Sequence, residues 1–125
     1  MEKREQKIKS FTDLVAWQEA HKLAILIYKV TKNFPKEEIY GLTNQIRRAV
    51  ISISSNIAEG FSRQSRLEKR QFYYQALGSL TELQNQLLLA KDVGYLSEDN
   101  FQEIANQTVT VSKLINSLIK FVRNT

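Results

Sequence analysis

The chain contains no cysteine, which excludes a disulfide scaffold, a thiolate metal site and a cysteine nucleophile. One proline and four glycines leave few places to turn, so a many-stranded sheet is not expected. Those glycines, at positions 41, 60, 78 and 94, stand alone, and no Gly-rich loop is present to cradle a phosphate. The single histidine, His21, excludes a His-rich metal site. Glu19 precedes it by two residues rather than by the three of the Glu-x-x-His motif of di-iron bundles. Ser52, Ser54 and Ser55 have no base that the sequence places beside them. The expectation is therefore a protein that is not an enzyme, with no catalytic residue, cofactor or metal. No apolar run approaches the ~20 residues of a membrane span. The charged opening MEKREQKIKS lacks the apolar region of a signal peptide. A cytoplasmic protein without a membrane partner is expected.

What is present points to a folded globule. The composition is 42% hydrophobic over 125 residues, enough for one domain with a core but not for two. We divide the chain into a basic, flexible N-terminal tail over residues 1–10 and a single domain over 11–125. The net charge is +5 and unevenly placed. Arg63–Arg70 (RQSRLEKR) carries Arg63, Arg66, Lys69 and Arg70 against Glu68 alone, while Asp92, Glu98, Asp99 and Glu103 make the approach to the last helix acidic. A basic cluster attracts nucleic-acid phosphates; a solvated helix face would look the same.

The hydrophobic pattern predicts four helices. Helix A runs from Thr12, read as its N-cap, to Asn33, and Phe34-Pro35 ends it. Its inner face is expected to hold Leu14, Trp17, Ala24, Ile27, Tyr28 and Val30, with Trp17 as core or as an anchor against another subunit. Helix B opens between Pro35 and Leu42 and ends at Glu59, with Gly60 in the left-handed position that follows many helices. Helix C starts after Ser65, whose spacing to Glu68 is that of a capping box, and extends to Val93, ~42 Å at 1.5 Å per residue. Its apolar face comprises Leu67, Phe72, Tyr73, Ala76, Leu77, Leu80, Leu83, Leu87 and Ala90. Gly78 in its middle predicts close approach of another backbone, and Gly94 stops the helix. Helix D carries an unbroken seam of Phe101, Ile104, Thr108, Val111, Ile115, Leu118 and Val122, spaced as in bundles and coiled coils, with Ser97 as its cap. Short connections between such helices give an all-α, antiparallel up-down four-helix bundle. Excess aliphatic surface on helices C and D, Leu89 included, points to a homo-oligomer.

Gln45–Gly60 (QIRRAVISISSNIAEG) is the unusual stretch. Leu42, Ile46, Val50, Ile53 and Ile57 form one apolar stripe. Beside it Gln45, Ser52, Asn56 and Glu59 form a second, polar one. A solvated face would more often hold Lys and Glu, so this stripe, with Glu82 of helix C, is expected to be a partly buried polar seam in which each group needs a partner. Glu59 and Glu82 are candidates to pair with Arg47 or Arg48 across helices B and C.

The ordered set Phe11-x-x-Leu14-x-x-Trp17-Gln18, Phe34-Pro35-x-Glu37-Glu38-x-Tyr40-Gly41-Leu42, Gln45-x-Arg47-Arg48-Ala49, Ser52-x-x-x-Asn56-Ile57-Ala58-Glu59-Gly60 and Gly78-Ser79-Leu80-x-Glu82-Leu83 resembles the 23S rRNA intervening-sequence proteins. It is distantly similar to the accessory protein of diversity-generating retroelements. Ser54 departs from the pattern, since many relatives have proline there, and a bend in helix B is expected to be weaker. The resemblance implies a bacterial four-helix bundle assembled as a homopentamer, and it carries no catalytic residues over. The expected function is a non-enzymatic oligomeric module that binds rRNA or other nucleic acid. Its candidate phosphate contacts are Arg47, Arg48, Arg63, Arg66, Lys69 and Arg70. The alternative is a protein-interaction scaffold, for example for a reverse transcriptase or a nuclease, with little nucleic-acid affinity of its own.

Overall fold

A computed structural model describes residues 7–124, without the side chain of Asn124. Of the expected N-terminal tail, residues 1–6 lie outside the described residues. Four α-helices follow: α1 (Val15–Thr31), α2 (Leu42–Ser62), α3 (Arg66–Asp92) and α4 (Glu98–Asn124). No strand occurs among the described residues.

The helix ends show which local signals prevailed. The first cap is Ser10 rather than Thr12. The Ser10 hydroxyl accepts from the Thr12 amide at 3.1 Å. The Asp13 carboxylate accepts from the Lys9 and Ser10 amides at 2.8 and 3.1 Å, and these bonds hold its pKa below the ordinary aspartate value. This box closes a single 3-10 turn, Phe11–Asp13. Leu14 is extended and α1 starts after it. A second 3-10 turn, Lys36–Glu38, precedes α2 and is separated from it by the non-helical Gly41. Glu38 bridges that break, accepting from the Leu42 amide at 2.9 Å. The α2 helix then runs unbroken through Ser54 and past Glu59 to Ser62. Gly60 is thus a buried helical residue, not a left-handed one. A Cβ there would lie 2.6 Å from Tyr73 Cε1, so the missing side chain is what lets α3 close on α2. The left-handed glycine is Gly94, at φ 89°, just beyond α3. Ser65 and Ser97 cap α3 and α4, accepting from the Glu68 and Asn100 amides.

Each helix packs on its neighbours in chain order, and α1 packs on α4 to complete the bundle. Bonds near the helix ends give the directions. Arg47, early in α2, donates to Thr31 at the end of α1 at 2.9 Å, and Lys69, early in α3, donates to the carbonyl of Phe61, late in α2, at 2.8 Å. Lys91, late in α3, lies over the ring of Phe101, early in α4. The arrangement is up-down-up-down and antiparallel. Tyr95, between α3 and α4, donates to Glu38 at 2.9 Å, so those two connections share one end of the bundle, and the α2–α3 turn lies at the other.

The core joins Ile46, Val50, Ile53 and Ile57 of α2 to Leu80, Leu83 and Leu87 of α3 and Ile104, Val111 and Ile115 of α4. On α1 the buried stripe is Ala16, Ala20, Leu23, Ile27 and Thr31, rotated from the expected one. Tyr28 is exposed, and Leu14, Trp17, Ala24 and Val30 flank the core. Trp17 is half-buried, stacked on His21 with centroids 4.7 Å apart and edge-on to Phe11. Leu67 is exposed. Among the described residues no atom approaches within 4 Å of where a Gly78 Cβ would stand, so the expected backbone approach is absent among them. No helix of the described residues is long and apolar enough to cross a membrane.

Candidate nucleic-acid interface

The antiparallel order collects positive charge at one end. The α2–α3 turn lies there with Arg63, Arg66, Lys69 and Arg70, beside the start of the described chain (Lys7, Lys9) and the end of α4 (Lys120, Arg123). Glu37, Glu38, Asp92, Glu98 and Asp99 gather at the opposite end. Within the basic end the cations divide into two groups. Lys69 turns inward, donating to the carbonyls of Gly60 and Phe61 at 3.3 and 2.8 Å. It thereby satisfies the Phe61 carbonyl at the end of α2 and adds to the Arg63 amide on that of Gly60, and burial lowers its pKa. Arg63 pairs with Glu59 at 2.8 Å and lies over the Phe72 ring. Among the described residues Arg66 and Arg70 form no side-chain hydrogen bond or ion pair, and the Nε of Arg70 is shielded from solvent without a partner there. Arg66 opens α3, where the positive end of the helix dipole disfavours cations and welcomes anions, and Arg70 lies one turn further on.

The other candidate cations lie elsewhere. Arg47 is committed to α1, with its Nε on the Thr31 hydroxyl and its guanidinium over Tyr28, 4.7 Å from the ring centroid. Arg48 forms no side-chain hydrogen bond or ion pair among the described residues. It lines a cleft of about 460 Å³ between α2 and α3, with Asn44, Gln45, Ala49, Ser52 and Glu82. A hollow of about 550 Å³ shares Gln45 and Glu82 with it and adds Asn85, Gln86, Leu89 and Tyr95 among others.

The polar seam is therefore partly internal and partly open. Ser52 and Ser79 hydroxyls meet across α2 and α3 at 2.7 Å. The Asn56 amide donates to the Ser52 carbonyl and hydroxyl at 2.8 and 3.1 Å. Gln45 and Glu82 instead border the cleft. The expected pairing of Glu59 and Glu82 with Arg47 or Arg48 does not form. Glu59 takes its own helix neighbour Arg63, and among the described residues the Glu82 carboxylate receives only a long 3.4 Å bond from Gln86.

Sequence reasoning missed Asn44, Asn85 and Gln86. For Gln86 a signal existed: it lies three residues beyond Leu83 and beside Leu87, on the apolar stripe of α3, and it is 8% exposed with Oε1 buried and unpartnered. No group of three or more His, Cys, Asp or Glu among the described residues could hold a metal ion.

A family model described as 23S rRNA-intervening sequence protein matches residues 12–117. A crystal structure from Bacteroides thetaiotaomicron VPI-5482, described as a protein of unknown function from the S23 ribosomal protein family, is 28% identical, with a TM-score of 0.76. That match covers 85% of this chain and 99% of the other. No curated protein matches the chain.

Proposed function

The chain belongs to the 23S rRNA-intervening sequence protein family, and from that premise we propose that it is a non-enzymatic, oligomeric, cytoplasmic module that binds RNA through its basic end. The observation that carries this reading is the placement of Arg66 and Arg70. Arg66 opens α3 at the positive end of its dipole, which costs the helix some stability, Arg70 stands one turn further on, and neither has an ion-pair partner among the described residues. Polyanion phosphates would satisfy both. Arg63, Lys69, Lys7 and Lys9 enlarge the same field.

Oligomerisation is supported by two apolar faces. Ile25, Tyr28 and Ile51 are exposed along a groove of about 510 Å³ between α1 and α2. Leu88 and Val109 are exposed beside a second groove between α3 and α4. In a bundle ordered α1–α2–α3–α4 these grooves lie on opposite sides. Two unlike patches joined head to tail generate a ring when the rotation closes, and the family resemblance sets the number at five. Several copies of a weak phosphate-binding end would act through avidity.

Retention of rRNA fragments in a mobility-shift assay near physiological salt tests the first part. Binding should weaken steeply with added salt, and the Arg66→Glu, Arg70→Glu double variant should lose most of it. Absence of retention by the unaltered protein rules the reading out. Light scattering tests the second, with a mass near five times 14.5 kDa expected. The apolar α1–α2 groove also favours a second reading, a scaffold for a protein partner. It predicts that partner capture survives the double charge reversal.

A further inference from the structure

We propose that the polar cleft between α2 and α3 is a binding site for a guanine base. For the source of that base the inference rests on the nucleic-acid reading above; for its chemistry it rests on the cleft alone.

The site is built rather than incidental. Ser52 in its lining is fixed by Ser79 and Asn56. Arg48 on α2 and Glu82 on α3 line the same cleft yet form no ion pair within 4.0 Å, so each retains its hydrogen-bonding capacity. Gln86 is more than nine-tenths buried against the adjoining hollow. Its amide nitrogen points to Glu82 at 3.4 Å, and its Oε1 has no donor. The α3 wall of the cleft therefore offers the Glu82 carboxylate as its acceptor, and the α2 wall offers the Arg48 guanidinium. At about 460 Å³ the cleft falls within the ~300–1,000 Å³ of small-ligand sites.

Guanine matches that division. Its N1–H and N2–H₂ donate side by side, as one carboxylate can accept them, and its O6 and N7 accept together, as an arginine fork donates. Adenine would set its N1 lone pair against the Glu82 carboxylate, and neither pyrimidine offers the paired donors. The edge that Glu82 would read is occupied in a duplex, so an RNA source must be single-stranded there. Arg48 lies about 22 Å along α2 from Arg63, at 1.5 Å per residue. A strand held by its phosphates at the basic end could place an unstacked base in the cleft.

The test is fluorescence anisotropy with labelled oligouridylate carrying one central guanine, inosine or adenine, together with calorimetry of free GMP and AMP. Guanine should bind roughly 10-fold or more tightly than adenine, with inosine, which lacks the N2 amino group, between them. Glu82→Gln removes a negative charge and so should strengthen unspecific RNA binding, yet it should abolish the guanine preference. Arg48→Met, which removes the guanidinium on the opposite wall, should also lose the guanine preference. Circular dichroism melts confirm that both variants fold. Saturable GMP binding assigns a free nucleotide, and preference seen only in the oligomer assigns a strand; either carries the site. Equal affinity for guanine and adenine, or a preference that survives Glu82→Gln, overturns it. RNA retention without base preference leaves the basic-end reading intact, whereas GMP binding without RNA retention removes that reading and leaves the cleft.

Discussion

The two ends of the α2–α3 pair are built on opposite rules. At the turn end the helices touch through a glycine, Gly60 against Tyr73 and Phe72, and the nearest cations are partly consumed by the fold. Lys69 caps the carbonyls of α2, and Arg63 answers Glu59. At the far end the same helices leave a cleft, and Arg48 and Glu82 face it without pairing. A charge written in the sequence is thus not a charge available to a ligand. What matters is whether a neighbouring carbonyl or carboxylate already holds it, and that is decided by how closely the helices approach.

The largest expected effect falls on the closed end. Gly60→Ala would bring a methyl within 2.6–3.2 Å of Tyr73 and Phe72. Tyr73 is almost wholly buried and cannot swing away, so α2 and α3 must separate. We expect a loss of about 1–3 kcal/mol in urea denaturation. Gly78→Ala, exposed in mid-helix with nothing within 4 Å, should instead gain about 0.5–1 kcal/mol. If the two changes cost the same, the closed end is not closed. Next in size is Lys69→Met, which keeps the stem and removes two bonds to the end of α2. A loss of about 1 kcal/mol is expected, with RNA retention less affected than by Arg66→Glu. The open end should respond with the opposite sign. Gln86→Leu deletes a buried acceptor without a donor and one long bond, so stability should be unchanged or higher by up to ~1 kcal/mol. Saturating GMP should stabilise the unaltered chain and not Glu82→Gln, because the ligand stabilises only the chain that binds it.

How far each end could be foreseen follows from the range of the forces that shape it. The α4 seam was legible because its spacing alone decides burial: Ile104, Thr108, Val111, Ile115 and Val122 are all buried. So was the α2 stripe from Ile46 to Ile57. The α1 register was harder, since its buried stripe includes two alanines and a threonine, while larger Ile25 and Tyr28 stay outside. Gly60 was misplaced for a different reason. A glycine near a helix end ordinarily adopts the left-handed conformation, and only the Tyr73 ring, thirteen positions on, makes it a contact residue instead. The site divides in the same way. The basic cluster was legible as composition, but that Lys69 reaches back to Phe61 is a tertiary fact. Of the two partners expected for Glu82, Arg47 is taken by Thr31 and Tyr28 on α1, and Arg48 shares its cleft without pairing.

The smallest expected effect concerns what holds the open end. Glu38 accepts from the Leu42 amide and then from the Tyr95 hydroxyl, and these bonds lower its pKa below the ordinary glutamate value. The same contact, led by the hydrogen bond to Glu38, raises the Tyr95 phenol. The two shifts act on opposite sides of neutrality. A carboxylate whose folded pKa is lowered contributes stability above its unfolded value, about 4.3, and loses it as pH falls through the folded one. A phenol whose folded pKa is raised contributes below its unfolded value, about 10, and loses it as pH rises through the folded one. Glu38→Gln should therefore flatten part of both limbs of the stability–pH profile. Tyr95→Phe should remove the alkaline part while leaving much of the acid limb, since the Leu42 amide remains. Asp13 and Glu19, also lowered, keep a residual acid slope in either variant. Denaturation midpoints at acid, neutral and alkaline pH decide the matter. If Tyr95→Phe left the alkaline limb intact, the bond joining the two loops would not be what holds this end while the cleft beside it stays open.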